Sequence, residues 1–140
     1  MSLEDLVRRN RIEPVAVDPD AAEVELEQAR KHLESAELLV ESDPVMAYAA
    51  LYDAARKSIT AHMRARGYRV KGLASYHAKT FEYAAEALAE RLSPEELERL
   101  DDMRSTRNDS EYRSRHVGAA EVRFDLATAR AAVLAVSADL

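Results

Sequence analysis

Residues Asp43 to Gly67 read DPVMAYAALYDAARKSITAHMRARG, and this stretch decides the fold. Asp43 can cap the free amides of a helix whose first position is taken by Pro44, where a missing donor is harmless. Gly67, preceded by Arg64 and Arg66, supplies a C-terminal stop with basic residues set against the negative end of the helix dipole. Between these signals every residue from Val45 to Leu51 is apolar or tyrosine, so the first half has no wet face. Only lower down do Asp53, Arg56, Lys57 and His62 restore polarity. Such a helix belongs at the centre of a bundle.

The flanking segments can surround it. On the N-terminal side Ala22, Leu26, Ala29, Leu33, Ala36 and Val40 recur in steps of four and three, after a start that Asp18 or Asp20 can cap. The opposite face of that helix, with Glu27 and Lys31 four apart, reads as solvent-exposed. On the C-terminal side YRVKGLAS reads as a loop freed by Gly72, with Ser75 expected to cap a helix through Leu92. Phe81, Ala84, Ala85, Leu88 and Leu92 form its core stripe. Ser93, Pro94 and Glu96 then make a capping box with proline at the first helical position. Val122, Leu126, Ala129, Val133, Val136 and Leu140 repeat the same spacing on a final Ala-rich helix.

At the N-terminus Leu3 to Arg9 suits a short helix. RIEPVAVDPD is expected to be an extended arm, because Pro14 and Pro19 push the residues before them out of helical conformation. The expected architecture is therefore all-α: residues 1–17 as a short helix and arm, and 18–140 as one antiparallel, up-and-down bundle of four to five long helices. No strand pattern is read.

Composition agrees with this and narrows function. The 140 residues include only 3 glycines and 4 prolines, as a mostly helical single domain requires. The absence of cysteine excludes disulfides, thiolate zinc sites and thiol nucleophiles, and fits a reducing compartment. The early acidic residues and the lack of a long apolar run speak against a secretory signal or a membrane span, so a cytoplasmic protein is expected. A net charge of -6 argues against a broad, non-specific nucleic-acid binder, while leaving room for a small basic site on an acidic body.

That basic site is sought in Arg104 to His116, RSTRNDSEYRSRH. The helix face that begins with Leu97 and Leu100 continues through Arg104, Arg107, Asn108 and Glu111, so a core stripe turns charged part-way along. Arginines and an asparagine near a helix end are suited to grip phosphate, to pair with carboxylates across a subunit interface, or to sit in water. Arg104 reads first as structural, able to pair with Asp53 or with a carboxylate on the next helix. Tyr112 reads first as an interface ring with a hydrogen-bonded hydroxyl. His62 and His77 read first as hydrogen-bonded helix residues, and Tyr48 and Tyr52, four apart, as core. No two histidines stand at metal-ligand spacing, so no metal is expected; no phosphate-binding glycine loop, serine triad or dinucleotide fingerprint occurs, and no cofactor is expected.

Three pieces, AYAALYDAARKSITAHMRARGYRV on the central helix, ASYHAKTFEY after the loop and RSTRNDSEY on the late helix, together resemble the HEPN superfamily (higher eukaryotes and prokaryotes nucleotide-binding), in its small single-domain bacterial form. The resemblance spans nearly the whole chain and rests on the order and spacing of the pieces. It implies a compact helical bundle, usually a homodimer, often a metal-independent ribonuclease of toxin-antitoxin or defence systems. The family motif is an arginine, commonly followed by asparagine, and then a histidine after four to six intervening residues. Arg107 and Asn108 match its start; Tyr112 stands where the histidine is expected.

A tyrosine of pKa about 10 is a poor proton shuttle at neutral pH, and arginine stabilises phosphate charge without exchanging protons. His116 lies nine residues beyond Arg107, about 13 Å along an unbroken helix, and can take part only if the chain turns after Tyr112. Some family toxins carry a tyrosine two places past the histidine that a partner nucleotidyltransferase modifies with AMP; the corresponding residue here is Ser114. The resemblance therefore implies binding of RNA, a nucleotide or a protein partner, such as a cognate antitoxin or nucleotidyltransferase, through Arg104, Arg107, Asn108, Asp53 and His77. Any residual catalysis would fall to Arg107, Asn108, Tyr112 and His116. The alternatives are an active ribonuclease using His116 or His77, and an interaction module whose arginines serve only dimer ion pairs.

Overall fold

The computed structural model describes residues 1–140. In chain order the elements are α1 (Leu3–Arg8), β1 (Ile12–Pro14), α2 (Pro19–Leu39), α3 (Pro44–Arg66), β2 (Tyr68–Val70), α4 (Tyr76–Ala87), α5 (Pro94–Tyr112) and α6 (Ala119–Asp139). The fold is all-α in class, a helical bundle organised around α3. This helix packs along α2 and α6, while α4 and α5 close its remaining sides. Tyr48, Leu51, Tyr52 and Ile59 are consequently shut off from solvent. Alanines at 22, 29 and 36 of α2 and at 47, 54, 55 and 61 of α3 are buried too, and small seams of this kind let helix axes approach closely. No helix is long and apolar enough to cross a membrane.

The local signals at the helix ends act as their chemistry dictates. Asp18 accepts from the amide of Ala21 at 3.1 Å, and Asp43 from that of Met46 at 3.2 Å. Gly67 ends α3 in the left-handed region at φ 83°. Ser93 and Glu96 form both halves of the capping box that starts α5.

Three expectations need correcting. The arm and the segment after Gly67 are strands: β1 pairs antiparallel with β2, Ile12 opposite Val70 and Pro14 opposite Tyr68. Three residues are too few for alternation to register in a sequence. Past the ladder, the amides of Val15 and Asp18 donate to the carbonyls of Gly67 and Arg64, each at 2.9 Å, so the arm is a strap across the end of α3. Leu6 and Ile12 bring α1 and the strap into the common core. Second, Ser75 does not cap α4; it adopts a left-handed conformation, φ 55°, and its side chain bonds no helix amide. Third, α4 ends at Ala87 rather than Leu92, and Leu88 and Leu92 are buried from the tight turn that follows.

Two buried polar networks fasten the last helix. Asp125 of α6, fully buried, accepts from the Tyr48 hydroxyl at 2.6 Å and from Nε and Nη2 of Arg99 at 2.6 and 2.8 Å. Near the C-terminus His62 bonds Tyr83 through Nδ1, at 2.8 Å, and Asp139 through Nε2, at 2.9 Å. Burial pushes the His62 pKa down, against the pull of Asp139.

Candidate functional site

One cluster of polar side chains has donors left over. It forms where α4 and α5 cross the outer face of α3. Tyr52, Asp53 and Arg56 come from successive positions of α3, His77 from the first turn of α4, and Arg104 and Arg107 from the second half of α5. The i, i+4 spacing of Tyr52 and Arg56 and the i, i+3 spacing of Arg104 and Arg107 put each pair on one helix face.

The aromatic groups form the floor. The Tyr52 hydroxyl lies 2.9 Å from His77 Nδ1, and its ring packs on Phe81 with centroids 5.9 Å apart. The Arg107 guanidinium sits between two rings, 5.9 Å from the centroid of Tyr52 and 6.0 Å from that of Tyr112, within reach of cation–π attraction. Burial raises the Tyr52 pKa to about 12 even though Arg56, Arg104 and Arg107 pull it down. The phenol therefore stays protonated and can donate to Nδ1, which leaves the proton of a neutral imidazole on Nε2. His77 is held below its ordinary pKa, first by desolvation and then by the charges of Arg56 and Arg107.

The guanidiniums are incompletely satisfied. Arg56 pairs with Asp53 at 3.5 Å and Arg104 with Asp101 at 3.6 Å, whereas Arg107 pairs with no carboxylate. In all three the Nε atom is shielded from solvent and has no hydrogen-bond partner. An unsatisfied buried donor costs about 1–3 kcal/mol, more when charged, so each of the three is held in place at a cost to stability. The two carboxylates balance two of the three arginines, which leaves one positive charge in excess.

Of the residues singled out from the sequence, Arg104, Arg107, Asp53 and His77 are brought together here, although Arg104 bonds Asp101 on its own helix and not Asp53. Asn108 is exposed on α5. Tyr112 is 75% exposed, with its ring against Arg107 and its hydroxyl without a partner in the chain. The chain does turn after Tyr112, through Ser114 at φ 56°, yet His116 ends on the exposed connection with no hydrogen-bond or ion-pair partner. Sequence reasoning passed over Arg56 and the Tyr52 hydroxyl. Their signal was the i, i+4 spacing on a helix already recognised as enclosed. No group of three potential metal ligands converges anywhere in the chain. No protein-family model, curated protein or solved structure matches the chain.

Proposed function

We propose that the chain is a HEPN-like bundle protein that binds a phosphate group of RNA or of a nucleotide at the Arg56, Arg104 and Arg107 cluster, working as a homodimer. The observation that carries this reading is the gathering of three guanidiniums around Tyr52 and His77 with paired carboxylates for only two of them, a charge-assisted grip for phosphate oxygens. The single excess charge favours a phosphodiester, which carries one negative charge. Tyr112, exposed beside Arg107 at the rim, is a surface that a second copy can cover. The family resemblance adds a cognate antitoxin or nucleotidyltransferase as partner, to be sought by co-purification.

Retention of labelled single-stranded RNA on filters, with EDTA present, tests the proposal. Wild type should bind saturably, and Arg107→Ala and Arg56→Ala should each weaken binding by about tenfold or more, the equivalent of one charge-assisted bond. Equal retention by wild type and both variants would count against it.

A second reading, metal-independent RNA cleavage, is favoured by the placement of His77 beside Arg107. In the other tautomer, in which Nδ1–H donates to the Tyr52 oxygen, Nε2 carries the lone pair and is able to accept a proton from a ribose 2′-hydroxyl while arginine steadies the phosphate. In the same assay this reading expects products that vanish in His77→Ala and persist in His116→Ala; intact RNA throughout would remove it.

A further inference from the structure

The strap, the C-terminal half of α3, β2 and the start of α4 line a cleft of about 460 Å³. Tyr68, Tyr76 and Met63 line it together with the polar Asp18, Thr60, Arg64 and Arg69. Two observations join it to the cluster. Tyr76 lines the cleft and meets His77 edge-on, ring centroids 6.0 Å apart. Thr60 stands one turn after Arg56 on the same face of α3 and donates its hydroxyl to the Arg56 carbonyl at 3.2 Å. Tyr52, Arg56, Thr60 and Met63 thus follow one stripe of the helix, from the cluster into the cleft, over about 16 Å.

We infer that the cleft receives the nucleobase attached to the phosphate held by the arginines, so that the ligand is recognised as a whole nucleotide. This rests on the phosphate-binding reading and deepens it. Two tyrosine rings and a thioether suit a flat, polarizable heterocycle, and the volume falls in the range of small-molecule sites. The Thr60 oxygen can accept and the Arg64 and Arg69 guanidiniums and the Asp18 carboxylate add further hydrogen-bonding groups, which fits a base with a polar rim better than an alkyl chain. The ribose bridges the turn between Arg56 and Thr60.

Calorimetric titration of the full chain with ribose 5-phosphate, with each of the four nucleoside 5′-monophosphates and with hexyl phosphate tests the inference. At least one nucleotide should bind about tenfold or more tighter than ribose 5-phosphate, since stacking is worth roughly 1–3 kcal/mol per base. Thr60→Trp, which fills the cleft, should abolish that gain and bring every nucleotide down to the affinity of ribose 5-phosphate. Tyr76→Ala should reduce the gain without filling anything, and serves if the tryptophan variant does not fold. Arg107→Ala should lose every ligand. The inference is overturned if no nucleotide exceeds ribose 5-phosphate, if hexyl phosphate gains as much, or if the gain survives both cleft variants. Failure of wild type to bind any phosphate compound would overturn the phosphate-binding reading and this one with it, a pattern distinct from the others.

Discussion

Arg107 has a guanidinium pressed between two tyrosine rings, a shielded Nε without an acceptor and no carboxylate within pairing distance. Keeping it so destabilises the folded chain, and a ligand anion would relieve the cost. Arg107→Met keeps much of the aliphatic packing and removes the unmet donor. It should raise stability by about 1 kcal/mol in urea denaturation while abolishing phosphate binding, the trade expected of a functional position. Arg107→Lys should not restore binding, because one ammonium cannot reproduce a planar fork. His77 carries the second expectation. It faces Tyr52, Asp53 and Arg56 from α3 and Arg104 and Arg107 from α5, and it is held below its ordinary pKa. A bound anion offsets the arginines and raises that pKa, so binding takes up a proton and tightens as pH falls from the ordinary imidazole value toward the lower one of the free protein. Sulfate, which does not titrate there, is the suitable probe: its affinity should increase between pH 7.5 and 5.5 in wild type and stay flat in His77→Phe. Arg107 stood out in the sequence because a charged stripe interrupted an apolar one. Arg56 was not, because a charge on a helix reads as a wet face until the crossing of α4 and α5 over it is known.

α3 is the element on which both the core and the cluster depend, and its C-terminal end is pinned by the strap. A Cβ at Gly67 would lie 2.8 Å from the carbonyl oxygen of Val15, and the residue already sits at a positive φ. Gly67→Ala should therefore destabilise by more than the roughly 1 kcal/mol of a left-handed alanine, since the strap must also shift; thermal denaturation measures it. The cleft walls should loosen with it. On α6 the buried Asp125 depends on Arg99, and Arg99→Ala, which strands a carboxylate in the core, should cost about 3–5 kcal/mol by chemical denaturation. The ends of α2, α3 and α5 were readable from sequence because Asp18, Asp43, Gly67 and the Ser93–Glu96 box act within one turn of themselves. Ser75 misled because a serine before a helix caps only if its backbone is extended, and here it is left-handed. The strands stayed hidden since each exists only through its pairing with a segment far along the chain.

Over the whole molecule, His32, His62 and His77 are all depressed, in each case first by desolvation. Each binds protons more weakly folded than unfolded. Their contribution to stability is present above the unfolded value near 6.5 and is lost as pH falls from there toward the lower folded values. The midpoint of thermal unfolding should drop on acidification from pH 7 to 5.5, and less steeply in His62→Gln, where the most buried of the three no longer titrates. The proposed homodimer is checked by sedimentation: a dimer mass is expected, with Tyr112→Glu shifting it toward monomer. The central claim, that the arginine cluster around His77 is a phosphate receptacle, is tested most directly by following the imidazole resonances of His77 by NMR during titration with inorganic phosphate. The predicted result is a saturable shift of the His77 signals and a rise in its pKa, both absent in Arg107→Ala. His77 signals that stay unmoved in wild type, or move equally in the variant, would contradict it.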